Sequence, residues 1–375
     1  MRVIVVGAGV VGLSTAWALS RDGHRPVVLD QGAIPNPLSA SHDRHRLIRL
    51  AHSDGDGRGR TIHDAFAAWE RLWAELGHRH YVETGIAMTA RGPNDWAVSC
   101  RAAFDRNGTP YEVWEHAELA RRCPYLAPRD ADWGLFTARG GALFADRIVT
   151  DLAGRLRGQP HVTLLPHRRV AGIDPARATV TLASGEGVGG DAIVLASGAW
   201  TGKLLPQLAE VLTPKRAIVV YLEPPADLAA SWAGAPCFLD FAGAGDLYLV
   251  PPLEGIPLKF GDGSTSYPED PDAPRRLRDD EPERLLARLR PYVRDLDRYR
   301  VVDQRICMYC FSPDERFIAG SLGNDPLVYA SGCSGQMFKF GAAMGERLAA
   351  TVTGRMEGAR LAAWTRGEAS AEPSA

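Results

Sequence analysis

Two short apolar runs bracket a glycine-rich turn and a helical stretch at the amino-terminal end of the chain. Val3 to Val6 are β-branched, which suits a strand buried on both faces. Val27 to Leu29 form the second run, and Gly7, Gly9 and Gly12 lie directly after the first. The order of strand, turn, helix and strand predicts a βαβ unit that binds a nucleotide.

Each residue of the turn has a separate physical reason. Gly7 permits the tight turn, Gly9 lets the backbone approach a pyrophosphate, and Gly12 lets the helix pack against the strand. The first N–H groups of that helix would face the phosphates. Asp30 ends the second strand, where its carboxylate is placed to accept hydrogen bonds from ribose hydroxyls.

Further along the chain the apolar pattern predicts a second, different region. Thr61 to Leu76 has aromatic and apolar residues at helical spacing, which predicts a core-facing helix, and the segment from Arg139 to Leu156 is also predicted to be helical. Ile193 to Ala196 predict a strand that ends in the small residues Ser197 and Gly198, where backbone can approach a dinucleotide. Between about Pro214 and Cys307 strands alternate with proline and glycine turns, which predicts a substrate domain.

Composition narrows the class of protein. The 375 residues exceed what one core usually holds, so two domains are expected. The 43 basic and 45 acidic residues leave a net charge of −2, which argues against nucleic-acid binding. There is no apolar span of ~20 residues to cross a membrane, and no signal-peptide pattern, so a cytoplasmic enzyme is expected. The six cysteines follow no framework of spacings and are expected to be reduced thiols.

Seven motifs together carry a family resemblance over essentially the whole chain. They are GAGVVG, SASHDRHRLIRLAHSDG, the TG at 84 and 85, ASGAW, LKFGDG, CMY followed by SPDERFIAG, and GCSGQMFKF. The chain resembles the flavin-dependent amine oxidases typified by monomeric sarcosine oxidase and N-methyltryptophan oxidase, within the D-amino-acid-oxidase-like superfamily. The resemblance implies an α/β fold in which a Rossmann-like FAD-binding domain is combined with an α+β substrate domain rich in antiparallel sheet.

Both domains are expected to be discontinuous in sequence. The FAD-binding domain would comprise residues 1–80, 143–213 and 312–375, and the substrate domain residues 81–142 and 214–311. The FAD-binding residues expected from the turn, the strand ends and the resemblance are Gly7, Gly9, Val10, Val11, Gly12, Asp30, Ser41, His42, Arg46, Val170, Ser197, Gly198, Trp200, Cys307, Gly332, Ser334, Gly335, Gln336, Phe338 and Lys339.

The resemblance also implies how the flavin is held. Cys307 matches the cysteine that forms a thioether to the 8α-methyl carbon of the flavin. From the residues alone it could equally be a core cysteine or half of a CxxC motif. No second CxxC or nearby histidine completes a zinc site, so no metal is predicted.

Four further positions match the family's catalytic groups. Arg46 matches the arginine against the flavin ring, while Arg49 and Lys339 match the pair that holds the substrate carboxylate, a role that suits the planar fork of arginine. Lys259 matches the lysine that bridges through water to flavin N5 and activates O2, where a fixed charge would stabilise superoxide.

The remaining family positions concern the lining of the substrate cavity. Tyr248 and Tyr309 match aromatic residues of that lining, although either could be simple core. Family histidines are replaced by Gly263 and Gln336, and His52 replaces a tyrosine. These differences would leave the redox residues in place and change the polar lining, which indicates a larger or cyclic amino acid instead of sarcosine.

The sequence therefore predicts an FAD-dependent oxidase of an N-methyl or cyclic secondary amino acid. The amino or imino acid would bind through its carboxylate, lose a hydride equivalent to the flavin and leave as an imine, and O2 would be reduced to H2O2. The enzyme is expected to be a monomer. Three alternatives stay open at this point: a flavin dehydrogenase, a desaturating tailoring enzyme of a biosynthetic pathway, and a nucleotide-binding module without catalysis.

Overall fold

The computed structural model describes residues 1–53 and 57–368. Asp54 and Gly55, the last two residues of the second motif, therefore lie outside the described residues. The strands are β1 (Arg2–Val6), β2 (Arg25–Leu29), β3 (Arg46–Arg49), β4 (Tyr81–Glu83), β5 (Ile86–Ala90), β6 (Glu112–Trp114), β7 (Trp133–Thr137), β8 (Gly140–Leu143), β9 (Thr163–Leu165), β10 (Val170–Asp174), β11 (Thr179–Leu182), β12 (Gly187–Gly189), β13 (Ala192–Leu195), β14 (Thr213–Glu223), β15 (Cys237–Phe241), β16 (Leu247–Val250), β17 (Leu258–Asp262), β18 (Tyr267–Pro268), β19 (Arg300–Phe311), β20 (Ile318–Ser321) and β21 (Leu327–Ser331). The α-helices are α1 (Val10–Arg21), α2 (Arg58–Leu76), α3 (Trp96–Asn107), α4 (His116–Arg122), α5 (Ala145–Arg157), α6 (Thr201–Leu204), α7 (Ala226–Ala229), α8 (Glu281–Leu289), α9 (Gly341–Val352) and α10 (Gly358–Thr365).

A six-stranded sheet contains the predicted βαβ unit. Its strand order is β20-β21-β13-β1-β2-β9, in which only β20 runs antiparallel to its neighbour. The central strands are apolar and buried because helices cover one face and a small antiparallel sheet of β10, β11 and β12 contributes to the core on the other. The carboxyl ends of β1 and β13 thus meet at one edge, where a doubly wound sheet binds its ligand.

The glycines of the turn are required by close backbone contacts. Gly7 has φ +103°, and a Cβ there would lie 2.5 Å from the carbonyl oxygen of Ala196. A Cβ on Gly12 would lie 1.8 Å from the carbonyl oxygen of Gly7, so any side chain at 12 would push α1 away from the turn. The predicted strand, turn and helix are confirmed; Gly12 is required by a contact within the unit, and Gly7 by the end of the neighbouring strand β13.

A second, nine-stranded sheet forms the other large layer. Along its main path the order is β18-β14-β17-β16-β15-β5-β7-β6, and β19 pairs with β14. All of its pairs are antiparallel except β5 with β15. The long strand β19 carries Cys307 and Tyr309, and β17 carries Lys259. The predicted fold class, a Rossmann-like domain with a sheet-rich α+β domain, is confirmed.

A small antiparallel sheet of β3, β8 and β4 joins segments on both sides of the domain boundaries expected at residues 80 and 142. The exact division into domains stays a prediction. One local prediction is wrong: the segment from Arg139 begins with strand β8, and its helix α5 starts only at Ala145. The strand forms because Gly140 and Gly141 (φ +141° and +157°) fit a close approach to Ile48 and Val82, which lie far away in sequence.

Among the described residues no helix combines the length and apolar character needed to cross a bilayer.

Candidate active site

Two cavities adjoin between the large sheets. The first has a volume of about 320 Å³ and lies at the carboxyl ends of β1, β2 and β13, and the second has a volume of about 420 Å³ and lies over β14, β16 and β17. Both volumes are in the range of small-molecule sites. Arg46, Tyr309, Gly335 and Phe338 line both cavities. A ligand that filled the first cavity could therefore present one end to a second ligand.

The first cavity collects most of the residues expected to hold a dinucleotide. The expected residues that line it are Gly7, Gly9, Val10, Val11, Asp30, Ser41, Arg46, Val170, Ser197, Gly198, Trp200, Gly335 and Phe338. Gly12 and Gly332 do not line it; Gly12 acts through the packing of α1, and Gly332 lies in the left-handed region with φ +64°. His42 borders neither cavity, and Ser334, Gln336 and Lys339 line the second cavity instead.

The polar groups of the first cavity fit FAD. Asp30 is held at the end of β2, where its carboxylate accepts the N–H groups of Ala8 and Gly32 at 2.9 Å and the amide of Asn36 at 2.8 Å. A Cβ on Gly9 would lie 3.0 Å from Ser41 Oγ, so the absence of a side chain keeps this backbone accessible. Helix α1 begins at Val10 beside the same cavity, where the N–H of Val10 donates to Ser41 Oγ at 2.9 Å and the positive end of the helix would face the phosphates. These residues would hold the ribose and pyrophosphate of the cofactor.

Cys307 lies beside the positive charge of Arg46. Cys307 itself lines neither cavity, but its neighbours Met308 and Tyr309 line the first, and its Sγ lies 3.5 Å from Nη2 of Arg46. Burial raises the pKa of the Cys307 thiol, but the charges of Arg46 and Lys259 outweigh it, so the pKa falls below its ordinary value of 9.0. Nearby cations favour the thiolate, the reactive form of cysteine.

Asp43 links strand β3 of the small sheet to β14 and β17 of the nine-stranded sheet, and the sequence did not single it out. The carboxylate is fully buried and pairs with Arg46, with the hydroxyl of Tyr221 and with Lys259 Nζ, the last at 2.6 Å. A buried carboxylate surrounded by two cations and a hydroxyl is well satisfied, and it would be costly to remove. Asp43 lies inside the second motif, which could have marked it as a candidate. Its role as a counter-ion could not be predicted, because its partner Lys259 is 216 positions away along the chain.

Lys259 is buried at the centre of this network. Its ammonium donates to Asp43 and, at 2.8 Å, to the carbonyl oxygen of His45. Burial and the charge of Arg46 lower the pKa of Lys259, whereas the carboxylate of Asp43 at 2.6 Å favours the charged amine. The side chain also lines the second cavity, so a cation is held where the two ligand spaces approach each other.

Arg49 and Lys339 converge on a single oxygen atom. Gln336 Oε1 accepts from Lys339 Nζ at 2.5 Å and from Arg49 Nη2 at 3.3 Å. Arg49 is further positioned by Trp96, whose ring lies 5.0 Å from its guanidinium carbon, and by His52, whose Nδ1 lies 3.4 Å from Nη1. Two cations that share one amide oxygen form a binding site of the kind that a carboxylate oxygen would occupy. Lys339 lies in a 3₁₀ turn, Met337–Phe340, directly before α9.

The remaining residues predicted to line the substrate cavity lie at or near the second cavity. Tyr248 and Tyr309 line the second cavity, as does Gly263, whereas His52 is buried behind Arg49 and does not line it. His45 lines this cavity although the sequence analysis did not single it out. Burial and the charges of Lys259 and Arg44 lower the pKa of His45 well below its ordinary value, so its imidazole is neutral.

Four carboxylates also line the second cavity and were not anticipated. Asp262 is already paired, with Arg288 Nε at 2.8 Å. The others are Asp240, Asp246 and Glu315. Asp240 lies at the end of β15 and Asp246 in the turn that follows, whereas Glu315 is far away in sequence, so only the folded chain reveals that they share a cavity.

The fold and the two adjoining cavities define a flavin-dependent oxidoreductase of two-domain type. Residues 2–351 match the model of the FAD dependent oxidoreductase family, and the chain belongs to this family. The predictions of an FAD-dependent enzyme of the amine and amino acid oxidase class are confirmed at that level.

Similar proteins extend over almost the whole chain. The chain is 28% identical to monomeric sarcosine oxidase from Bacillus sp. (strain NS-129), over 94% of this chain and 92% of that protein. It is 25% identical to N-methyl-L-tryptophan oxidase from Yersinia pestis (strain Pestoides F), over 92% of each chain. Among solved structures, NikD, described as an unusual amino acid oxidase essential for nikkomycin biosynthesis, has a TM-score of 0.81 with 22% identity over 96% of each chain.

Proposed function

We propose that this enzyme oxidises the C–N bond of an N-methyl or cyclic secondary amino acid to an imine and passes the electrons to O2, which gives H2O2. The observation that carries the proposal is the convergence of Arg49 and Lys339 on Gln336 Oε1, in a cavity that adjoins the cofactor cavity. A substrate carboxylate would displace this amide oxygen and take both cations. Its α-carbon and nitrogen would then lie towards the four residues common to both cavities.

The charges of the cavity would also prepare the amine. The substrate nitrogen must lose its proton before it can release a hydride equivalent. Arg46 and Lys259 line the same cavity, and their positive charges lower the pKa of a nearby ammonium group. Neutral His45 can accept a hydrogen bond in this cavity, and both of its ring nitrogens are without a partner among the residues described.

FAD held in the first cavity would supply the acceptor for the two electrons and the hydride equivalent. We propose that Cys307 attaches it through a thioether to the 8α-methyl carbon. The lowered thiol pKa beside Arg46 supports this role. Lys259 would hold a positive charge where O2 is reduced, since a fixed cation stabilises a developing superoxide anion.

A second candidate is a dehydrogenase or ring-desaturating enzyme that passes electrons to another acceptor and acts on a cyclic amine with a carboxylate. The ion pair between Lys259 and Asp43 favours it, because the carboxylate cancels part of the charge that would attract superoxide. Comparison of O2 with an artificial acceptor in reoxidation of the reduced enzyme distinguishes the two candidates.

The test of the proposed function uses the purified holoenzyme with sarcosine, proline, pipecolate and Nα-methyl amino acids. We expect at least one of these compounds to bleach the flavin without O2 and to give H2O2 with O2. In the Arg49→Ala variant, kcat/KM should fall by about one to two orders of magnitude, because a hydrogen bond to a charged group is worth about 1.5–3 kcal/mol. Arg177→Ala is the matched control, since Arg177 is exposed, pairs with Asp174 and lines neither cavity. Failure of all these compounds to reduce the flavin would overturn the proposal.

We also propose that the enzyme is a monomer and that it acts in the cytoplasm. The name of the Bacillus relative supports the monomer, and size-exclusion chromatography with light scattering tests it.

A further inference from the structure

The second cavity also has an acidic side. Its charge is opposite to that of Arg49 and Lys339, the pair called here the carboxylate clamp. Asp240 comes from the end of β15, Asp246 from the loop before β16, and Glu315 from the turn after β19. All three line the cavity. In the part of the chain that the structure describes none of them forms a salt bridge, but burial raises the pKa of Asp246 against the opposing charges of Arg49 and Lys215. Asp246 and Glu315 are exposed, whereas Asp240 is buried, so the cost of an uncompensated charge is greatest at Asp240.

Asp240 is the buried member of this cluster. The residue is 6% exposed, and its Oδ1 has no hydrogen-bond partner among the described residues. A buried carboxylate oxygen without a partner is costly. Its backbone is held at φ +49°, a conformation that aspartate and asparagine tolerate better than most residues. The side chain is thus fixed at the cavity wall with one oxygen left unsatisfied.

The carboxylates also act on one another. Burial raises the pKa of Asp240 to about 6, with Asp95 and Asp246 adding to the effect. Burial likewise raises the pKa of Glu315, and the charge of Asp246 raises it further, while Arg58 and Lys215 lower it. A cation placed among them would relieve this repulsion.

Gly263 makes room for this arrangement. A Cβ at position 263 would lie 2.9 Å from Cβ of Asp246 and 3.1 Å from its Oδ2. A side chain at this position would therefore collide with Asp246 where it now lies. Gly263 and Asp246 are compatible as a pair.

The acidic side does not reach the place where the reacting nitrogen would lie. The four residues common to both cavities are Arg46, Tyr309, Gly335 and Phe338, and none is acidic. Asp240, Asp246 and Glu315 line only the second cavity. A cation bound by them is thus a different group from the amine that is oxidised.

We infer that the substrate carries a second cationic group, an ammonium or guanidinium on its side chain, which binds to Asp240, Asp246 and Glu315 while its carboxylate binds to Arg49 and Lys339. This inference rests on the proposed function and narrows it to basic amino acids with a substituted α-nitrogen. The opposed charges fix the orientation of such a substrate, and a neutral side chain leaves the buried carboxylate of Asp240 uncompensated.

The first experiment compares Nα-methyl-lysine with its neutral analogue Nα-methyl-norleucine in the holoenzyme. We expect kcat/KM for the lysine compound to be at least about tenfold higher, and this ratio to fall towards one in Asp246→Asn and Asp240→Asn. The asparagine at 240 keeps the size and the left-handed backbone of the aspartate. Asp279→Asn, an exposed residue outside both cavities, should leave the ratio unchanged.

A binding measurement separates this inference from the chemistry. 6-Aminohexanoate carries the carboxylate and the distal ammonium without an α-nitrogen, and hexanoate lacks the ammonium. By thermal shift and flavin absorbance, the wild-type protein should bind 6-aminohexanoate about tenfold more tightly, and Asp246→Asn should bind both alike. Equal binding of both ligands by the wild type would overturn the second-cation inference. If Nα-methyl-norleucine reduces the flavin as well as Nα-methyl-lysine does, the proposed function stands and this inference fails; if neither reduces it, both fail.

Discussion

Lys339 donates a hydrogen bond of 2.5 Å to the side-chain oxygen of Gln336, and this same oxygen is 3.3 Å from Arg49. The glutamine amide thus occupies the point at which a substrate carboxylate would be recognised. Because an amide is neutral, a carboxylate competes with it favourably for two cations. Gln336 can hold the clamp together in the free enzyme and yield it to the substrate.

Replacement of Gln336 by glutamate tests this relationship. The Gln336→Glu carboxylate would form a charged pair with Lys339 and Arg49, and it would act as a competitor inside the site. We expect KM for an amino acid substrate to rise about tenfold or more, with a smaller change in kcat, because the effect is on binding. Gln336→Ala is the control, since it removes the amide without adding charge. If KM in Gln336→Glu stays at the wild-type value, the two cations do not bind the carboxylate.

Cys307→Ser is expected to release the flavin. A serine hydroxyl at this position is not ionised beside Arg46 and is a far weaker nucleophile than a thiolate. After acid precipitation, the yellow colour should stay in the pellet for the wild type and move to the supernatant for the variant. Cys310→Ser, a buried cysteine on the same strand, should behave like the wild type. Colour in the wild-type supernatant would rule out the covalent bond.

Asp43→Asn is expected to change both stability and the pH dependence of reoxidation. The variant leaves Arg46 and Lys259 buried without their carboxylate, a loss that costs about 3–5 kcal/mol in typical proteins. The pKa of Lys259 should fall, because Asp43 favours its charged form, so reoxidation by O2 should decline at a lower pH than in the wild type. Stopped-flow reoxidation measured against pH gives this midpoint.

Asp303→Asn is the matched control for that experiment, since Asp303 pairs with Arg44 in a partly exposed ion pair. It should leave the stability and the reoxidation profile close to those of the wild type. An unshifted profile in Asp43→Asn would show that the charge of Lys259 does not control the reaction with O2.

The βαβ unit could be predicted because its determinants are local. Gly12 and Asp30 act on backbone within the same thirty residues, and Gly7 needs its positive φ for the turn itself, so the sequence pattern is sufficient to predict the unit. The carboxylate clamp was predicted as well, but only because the family resemblance supplied the partner of Arg49. The structure places both cations on Gln336, and the roles of these residues stay predictions until they are tested.

The residues that the sequence analysis missed depend on contacts between distant segments. Asp43 becomes a buried counter-ion only when β17 brings Lys259 to it. Strand β8 was predicted as part of a helix. Gly140 and Gly141 adopt strand geometry only through pairing with β3 and β4, which the local sequence does not reveal. Asp240 looks like an ordinary strand residue until the fold places it on a cavity wall.

The pH dependence of substrate binding follows from Asp240. Its pKa is raised to about 6 by burial, Asp95 and Asp246, while the N–H groups of Gly245 and Trp96 oppose the shift. Below that pH the carboxylate takes up a proton and loses its charge, so KM for a dibasic substrate should rise as the pH falls through about 6. KM for the neutral analogue should lack this step, and Asp240→Asn should remove it for both compounds. A step of equal size for the neutral analogue would assign it to another group.

The central claim is that the enzyme oxidises an amino acid whose carboxylate binds to Arg49 and Lys339. The most direct test compares an Nα-methyl amino acid with the amine that lacks its carboxylate, each mixed with the holoenzyme without O2. The measured quantity is the rate at which the flavin colour is lost. The account predicts rapid bleaching by the amino acid and bleaching at least about a hundredfold slower by the amine, because Arg49 and Lys339 orient the substrate through its carboxylate. Equal rates for the two compounds, or no bleaching by any Nα-methyl amino acid, would contradict it.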